Sequence, residues 1–205
     1  MNDSAPFAVA EESPSDVLAR FTSGLAVDAV PAEAVAYARL LMLDLLGAAL
    51  AGVETAEAGA MLTAAKGFAP PSGPCAIWGT ERTTSAAAAA LVNGVIAHAQ
   101  ELDDFGGADH SGAVVVPAIL AVAEAEGTTD GGRVLAAMVA GYDVALRALE
   151  AMGGYRAHNN GGGWHSTGTC GSFGAAAAAA RMLGLDAERT SWALGIAGKI
   201  GRAHV

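Results

Sequence analysis

Residues 31–53 read PAEAVAYARLLMLDLLGAALAGV. A proline opens the run, where its fixed φ suits the first turn of a helix. In the run that follows, only Glu33, Arg39 and Asp44 carry charge, so the helix is apolar nearly all round. A helix without a polar face is expected between other helices rather than on a surface. The rest of the chain is composed to supply such neighbours. Of 205 residues 53% are hydrophobic and only 5% aromatic, with alanine making up much of the difference, which favours closely packed helices over a β-rich core. The expected fold class is all-α.

Working outward, Ser15 or Asp16 can cap a first helix ending near Val27, and a third helix covers about Ala56–Phe68. The breaker APPSGP and a brief extended CAIWG follow. Thr84 or Ser85 then caps a long helix, SAAAAALVNGVIAHAQELDD, running to Asp104. Beyond a glycine- and aspartate-rich loop at 104–112, Pro117 opens PAILAVAEAEG, and Asp130 precedes GGRVLAAMVAGYDVALRALEAMG. A second glycine-rich loop fills 153–168. FGAAAAAARMLGL and, behind a cap at Asp186, DAERTSWALGIAG complete about eight helices.

A formal charge of −10 opposes nucleic acid or an anionic membrane as partner, because a polyanion needs a basic footprint. A small molecule is the expected ligand. Cys75 and Cys170 lie far apart without metal spacing, as free thiols in a reducing, cytoplasmic setting do. Residues 1–14 have neither a basic start nor a long apolar run, and are expected to be a flexible lead-in rather than a signal or a membrane segment.

Residues 98–112, HAQELDDFGGADHSG, concentrate titratable groups in a chain with 16% charged residues. On a continuing helix His98, Glu101 and Asp104 fall three apart on one face. They would form an acid/base group at the lip of a pocket, with His110 arriving from the loop. The competing reading is a solvated helix end. His98, Glu101, His110 and His165 are competent metal ligands, but a single H-x-x-E lacks the paired motifs of helical dimetal sites, so no metal is expected.

In GGGWHSTGTCGSFG (161–174), free backbone N–H groups and the hydroxyls of Ser166, Thr167 and Thr169 can hold a carboxylate, with His165 at the rim. Equally, the threonines can cap a helix and the glycines allow close packing. Cys170, at a helix start, has no base nearby except His165 and is read as an inert thiol rather than a nucleophile. Trp78, Trp164 and Trp192 are read as packing residues.

Taken together, NGVIAHAQELDD, HSGAVVVPAILAVAEAEG, VAGYDVALRALEAMG and WHSTGTCGSFGAAAAAARMLGLDAERTSWALGIAG resemble the MmgE/PrpD family, which includes 2-methylcitrate dehydratase and cis-aconitate decarboxylase. The resemblance runs from about Ser15 to Gly198. It implies the N-terminal part of a large helical domain (15–199, incomplete), with a smaller α+β lid domain absent from this chain. It further implies a homodimer in the full-length form, no metal or organic cofactor, and a site for small di- or tricarboxylates between the two domains. The family's H-A-x-D/E-x-D-D stretch falls on His98, Ala99, Glu101, Asp103 and Asp104. Its H-P-S loop falls on His110 and Ser111, and its F-H-P-T-G-T on Trp164 to Thr169. The resemblance makes His110, His165 and Glu101 the catalytic candidates, and His98, Asp104, Ser166, Thr167 and Thr169 the substrate-binding ones. Phe105 stands where the family commonly has a threonine, and Ser111 where it has a proline.

The implied activity is elimination of water from a 2-methylcitrate-like acid. A decarboxylase or epimerase on a related polycarboxylate, or a noncatalytic helical binding module, are the alternatives. After LGIAG the family continues with small residues, whereas IGRAHV (200–205) matches the translation of a common sequencing adapter, so a non-native tail is expected there.

Overall fold

A computed structural model describes residues 12–106 and 108–199; the expected flexible start, apart from its last residues, and the expected tail at 200–205 lie outside them. The described residues form nine α-helices and one two-stranded ribbon: α1 (Pro14–Gly24), α2 (Ala32–Gly52), α3 (Ala56–Ala64), β1 (Cys75–Ala76), β2 (Thr83–Thr84), α4 (Ala86–His98), α5 (Ser111–Glu126), α6 (Gly131–Ala151), α7 (Ser166–Thr169), α8 (Gly171–Met182) and α9 (Ala187–Lys199). The all-α expectation holds. The helix beyond the expected eight is the single turn α7.

Caps decide several boundaries. Ser13, rather than Ser15 or Asp16, caps α1 by accepting from the Asp16 N–H at 3.2 Å. Asp130 accepts from Arg133 N at 3.1 Å and Asp186 from Arg189 N at 2.8 Å, as their positions before apolar runs imply.

Helix α5 is the axis of the core: it packs against α4, α6 and α8, burying Val115, Val116 and Ile119 with Ile96, Met138 and Met182. It begins at Ser111, six residues ahead of the expected start, and carries Pro117 inside it. Proline has no N–H to bond the Ala113 carbonyl. That carbonyl lies against α4 at Gly94, where an added Cβ would come within 2.9 Å of it.

Helix α2 departs further from expectation. Ala38, Leu45, Ala48, Ala49 and Gly52 are buried, but Tyr37, Leu40, Leu43 and Leu50 are exposed, Leu43 by 68%. It is also the only helix among the described residues long and apolar enough to cross a membrane by length and composition. Trp164 and Trp192 are likewise exposed, leaving Trp78 as the tryptophan packed on the core.

Candidate functional site

Helix α4 stops at His98, and Glu101 takes a φ of +50°, a left-handed conformation that ends helical continuation. His98, Glu101 and Asp104 therefore do not share one helical face. Glu101 lies on an exposed turn, and the reversal brings Asp103 under α4 instead. Asp103 is the carboxylate that meets both imidazoles: its side chain is fully buried, with Oδ1 2.9 Å from His98 Nδ1 and Oδ2 3.4 Å from His110 Nδ1. The second pair is longer than a hydrogen bond, and both its atoms are buried without another partner. The two imidazoles lie 4.6 Å apart by ring centroid, and the edge of Phe105 stands against His110 at 5.5 Å.

The neighbouring acids were not all legible. Asp104 accepts from the Tyr142 hydroxyl at 3.2 Å. Burial pushes the Asp104 carboxyl above the usual carboxylate range, and burial beside Asp104 raises the Tyr142 phenol further. Asp109, not singled out from sequence, is buried with φ +77°. Its Oδ1 is 3.9 Å from His110 Nε2, and its Oδ2 accepts from Ser166 Oγ at 2.8 Å and Asn159 Nδ2 at 3.3 Å. Asn159 belongs to a π-helical turn, Arg156–Gly161, inside the stretch expected to be loop. The sequence signal for Asp109 was its place beside His110; the π-turn has none in composition.

The segment around α7 joins the His110 loop. Thr167 Oγ1 accepts from the His110 backbone N–H at 3.2 Å. Thr169 Oγ1 donates to the His165 carbonyl at 3.1 Å and pairs with buried His158 Nε2 at 2.7 Å. The hydroxyls of Ser166, Thr167 and Thr169 thus bond within the protein, and α7 is one turn long, so in this structure the segment braces the His110 loop. His165 occupies the N-cap position of α7, exposed and with no side-chain capping bond. Cys170 is fully buried, and burial raises its thiol, in keeping with an inert residue.

Two clefts reach this cluster. One, of about 690 Å³, is walled by Tyr37, Leu40, Leu43, Asp104, Phe105 and Tyr142; the other, of about 600 Å³, by Gly94, His98, Ala99, Ala113, Val114 and Thr167, among others. The donor atoms of His98, Asp103 and His110 lie within 4.8 Å of one another, a nitrogen and oxygen set that can serve either a divalent ion or an imidazole–carboxylate relay.

A family model for the MmgE/PrpD N-terminal domain matches residues 16–204. The chain belongs to the MmgE/PrpD family. Among curated relatives, a cis-aconitate decarboxylase-like protein of Aspergillus oryzae is 35% identical over 176 residues, covering 82% of this chain and 36% of the relative. The cis-aconitate decarboxylase of Aspergillus terreus is 32% identical over 186 residues, 88% of this chain and 37% of the relative. This MmgE/PrpD chain therefore spans a little over a third of the length of the curated relatives it matches. Its polar cluster falls on the turn between α4 and α5 and on the segment leading into α8.

Proposed function

We propose that this chain is the helical part of an acid/base lyase acting on small polycarboxylates, and that decarboxylation of a cis-aconitate-like acid is favoured over dehydration of a 2-methylcitrate-like one. The observation that carries the acid/base reading is the pair of imidazoles sharing the buried Asp103 carboxylate. Histidine exchanges a proton near neutral pH, and a carboxylate behind it fixes the ring and steadies its cation. In decarboxylation, the bond to the departing carboxylate breaks, its electron pair moves through the adjacent alkene, and carbon takes up one proton. In this reading His110 or His98 delivers that proton. Dehydration needs the same groups in two steps: one removes a proton beside a carboxylate and the other protonates the leaving hydroxyl.

The names of the relatives favour the decarboxylase: one is a cis-aconitate decarboxylase and the other a cis-aconitate decarboxylase-like protein. Phe105 puts an apolar ring against His110 where the family commonly has a hydroxyl able to hold a carboxylate, which weighs equally on cis-aconitate and 2-methylcitrate, both tricarboxylates. A homodimer in the full-length form and a reducing, cytoplasmic setting belong to the same reading, the latter supported by the buried free thiols Cys75 and Cys170.

The test uses the full-length protein with cis-aconitate and 2-methylcitrate in parallel, following carbon dioxide release and alkene absorbance. Carbon dioxide from cis-aconitate is expected, and His110→Ala is expected to lower turnover by about 10²- to 10⁴-fold, the usual span for a general acid/base group. No turnover of either acid by the folded full-length protein overturns the lyase reading.

A further inference from the structure

We infer that Asp109 is a positioning residue for His110, and that through Ser166 and Asn159 it ties the His110 loop to the α7 segment, so that His110 and the His165 region move as one unit. The function it serves rests on the lyase reading above, but the geometry stands without it. A non-glycine residue with φ +77° in a buried turn is uncommon and persists only where its surroundings hold it. Here four bonds do so. Ser166 Oγ (2.8 Å) and Asn159 Nδ2 (3.3 Å) fix one carboxylate oxygen, and the Asp109 carbonyl accepts from both Gly106 N (3.2 Å) and Ser111 N (3.0 Å), closing the turn.

Ser166 Oγ also accepts from Asn159 Nδ2 at 2.9 Å, so the three side chains form a closed ring of polar contacts. Thr167, next in sequence to Ser166, takes the His110 N–H. Two consecutive hydroxyls of α7 therefore grip two consecutive residues of the loop, and the imidazole they aim has Asp103 at Nδ1 and Asp109 at Nε2. Within the described surroundings, the other ionisable groups facing this ring are His98 and Asp104.

Asp109→Asn is the informative variant, since asparagine keeps the size of aspartate and tolerates left-handed backbone, while its amide loses the charge and one acceptor. In the full-length protein we expect kcat to fall about 10- to 100-fold from misplacement of the ring, with KM near the wild-type value. Hydrogen–deuterium exchange at the His110 ring carbon Cε1, read by mass spectrometry, is expected to move away from the wild-type rate while that of His158 stays. Ser166→Ala leaves the charge in place and is expected to act in the same direction, and the double variant to be no worse than Asp109→Asn alone.

Unchanged His110 exchange in folded Asp109→Asn overturns the inference, as does a kcat within about twofold of wild type in an active enzyme, far short of a misplacement effect. If neither acid is turned over, the lyase reading fails and the exchange measurement alone decides the positioning role.

Discussion

Asp104 is a half-buried carboxylate that accepts from Tyr142 Oη and lies against the backbone at Gly112, where an added Cβ would fall 2.1 Å from its Oδ1. Burial raises its folded-state pKa above the ordinary value of 3.8, with Asp103 adding to the rise. For a group shifted in that direction, the favourable contribution is complete while it is protonated in both states and is lost as pH climbs through the folded pKa. Asp104→Asn keeps an oxygen for Tyr142 and removes the titration. The variant is therefore expected to gain in melting temperature over wild type at pH 7, with the gap closing as pH falls below about 4. A gap that is constant between pH 3 and 7 would contradict the assignment. At this scale the sequence was half legible. It pointed to residues 98–112 and to both histidines, but spacing along an assumed helix put Glu101 beside them. A single left-handed residue leaves Glu101 exposed and puts Asp103 against the two histidines, and such a φ leaves no trace in composition.

Helices were the most legible level, because 3.6-residue periodicity and caps act locally. Asp130 and Asp186 mark helix starts through bonds within one turn, and the structure has both. Pro117 misled because proline at a helix start is common, whereas here it sits inside α5, and the Ala113 carbonyl it leaves unbonded lies against Gly94 of another helix. The π-turn at Arg156–Gly161 was hidden for the same reason: it is held by Thr169 and Ser166, which are distant in the local pattern. The close crossing of α6 and α8 is also a tertiary fact. An added Cβ on Gly141 of α6 would stand 2.9 Å from the Gly174 carbonyl, and one on Gly174 of α8 would stand 2.7 Å from the Gly141 carbonyl. The neighbour in each case is backbone, which can yield only by separating the helices. Gly174→Ala is expected to cost about 1–3 kcal/mol by denaturant unfolding, in the range of overpacked cores. Gly195, on α9 with open space around it, is the contrasting site: Gly195→Ala is expected to be neutral or mildly stabilising.

At the scale of the molecule, an apolar composition with small aromatic content specified a helical bundle but not which flank of each helix would be covered. Helix α2 was read as buried all round, and it is buried along one side only. Tyr37, Leu40, Leu43 and Leu50 are exposed along α2, and the first three share the wall of the larger cleft with the exposed Phe105. Contiguous apolar surface of this kind drives association, and a formal charge of −10 opposes it only at low ionic strength. The 205-residue chain alone is therefore expected to sediment as oligomers at 0.15 M salt. Leu40→Glu with Leu43→Glu is expected to shift it toward monomer with little change in melting temperature, since neither side chain is covered in this structure. In the full-length protein the same pair separates two situations. A fall in melting temperature there means that further polypeptide or a second copy covers the strip, and an unchanged one means that the strip faces solvent there too. A chain that remains monomeric with the leucines intact would show that the exposed side of α2 is too broken by Arg39, Asp44 and Gly47 to act as a patch.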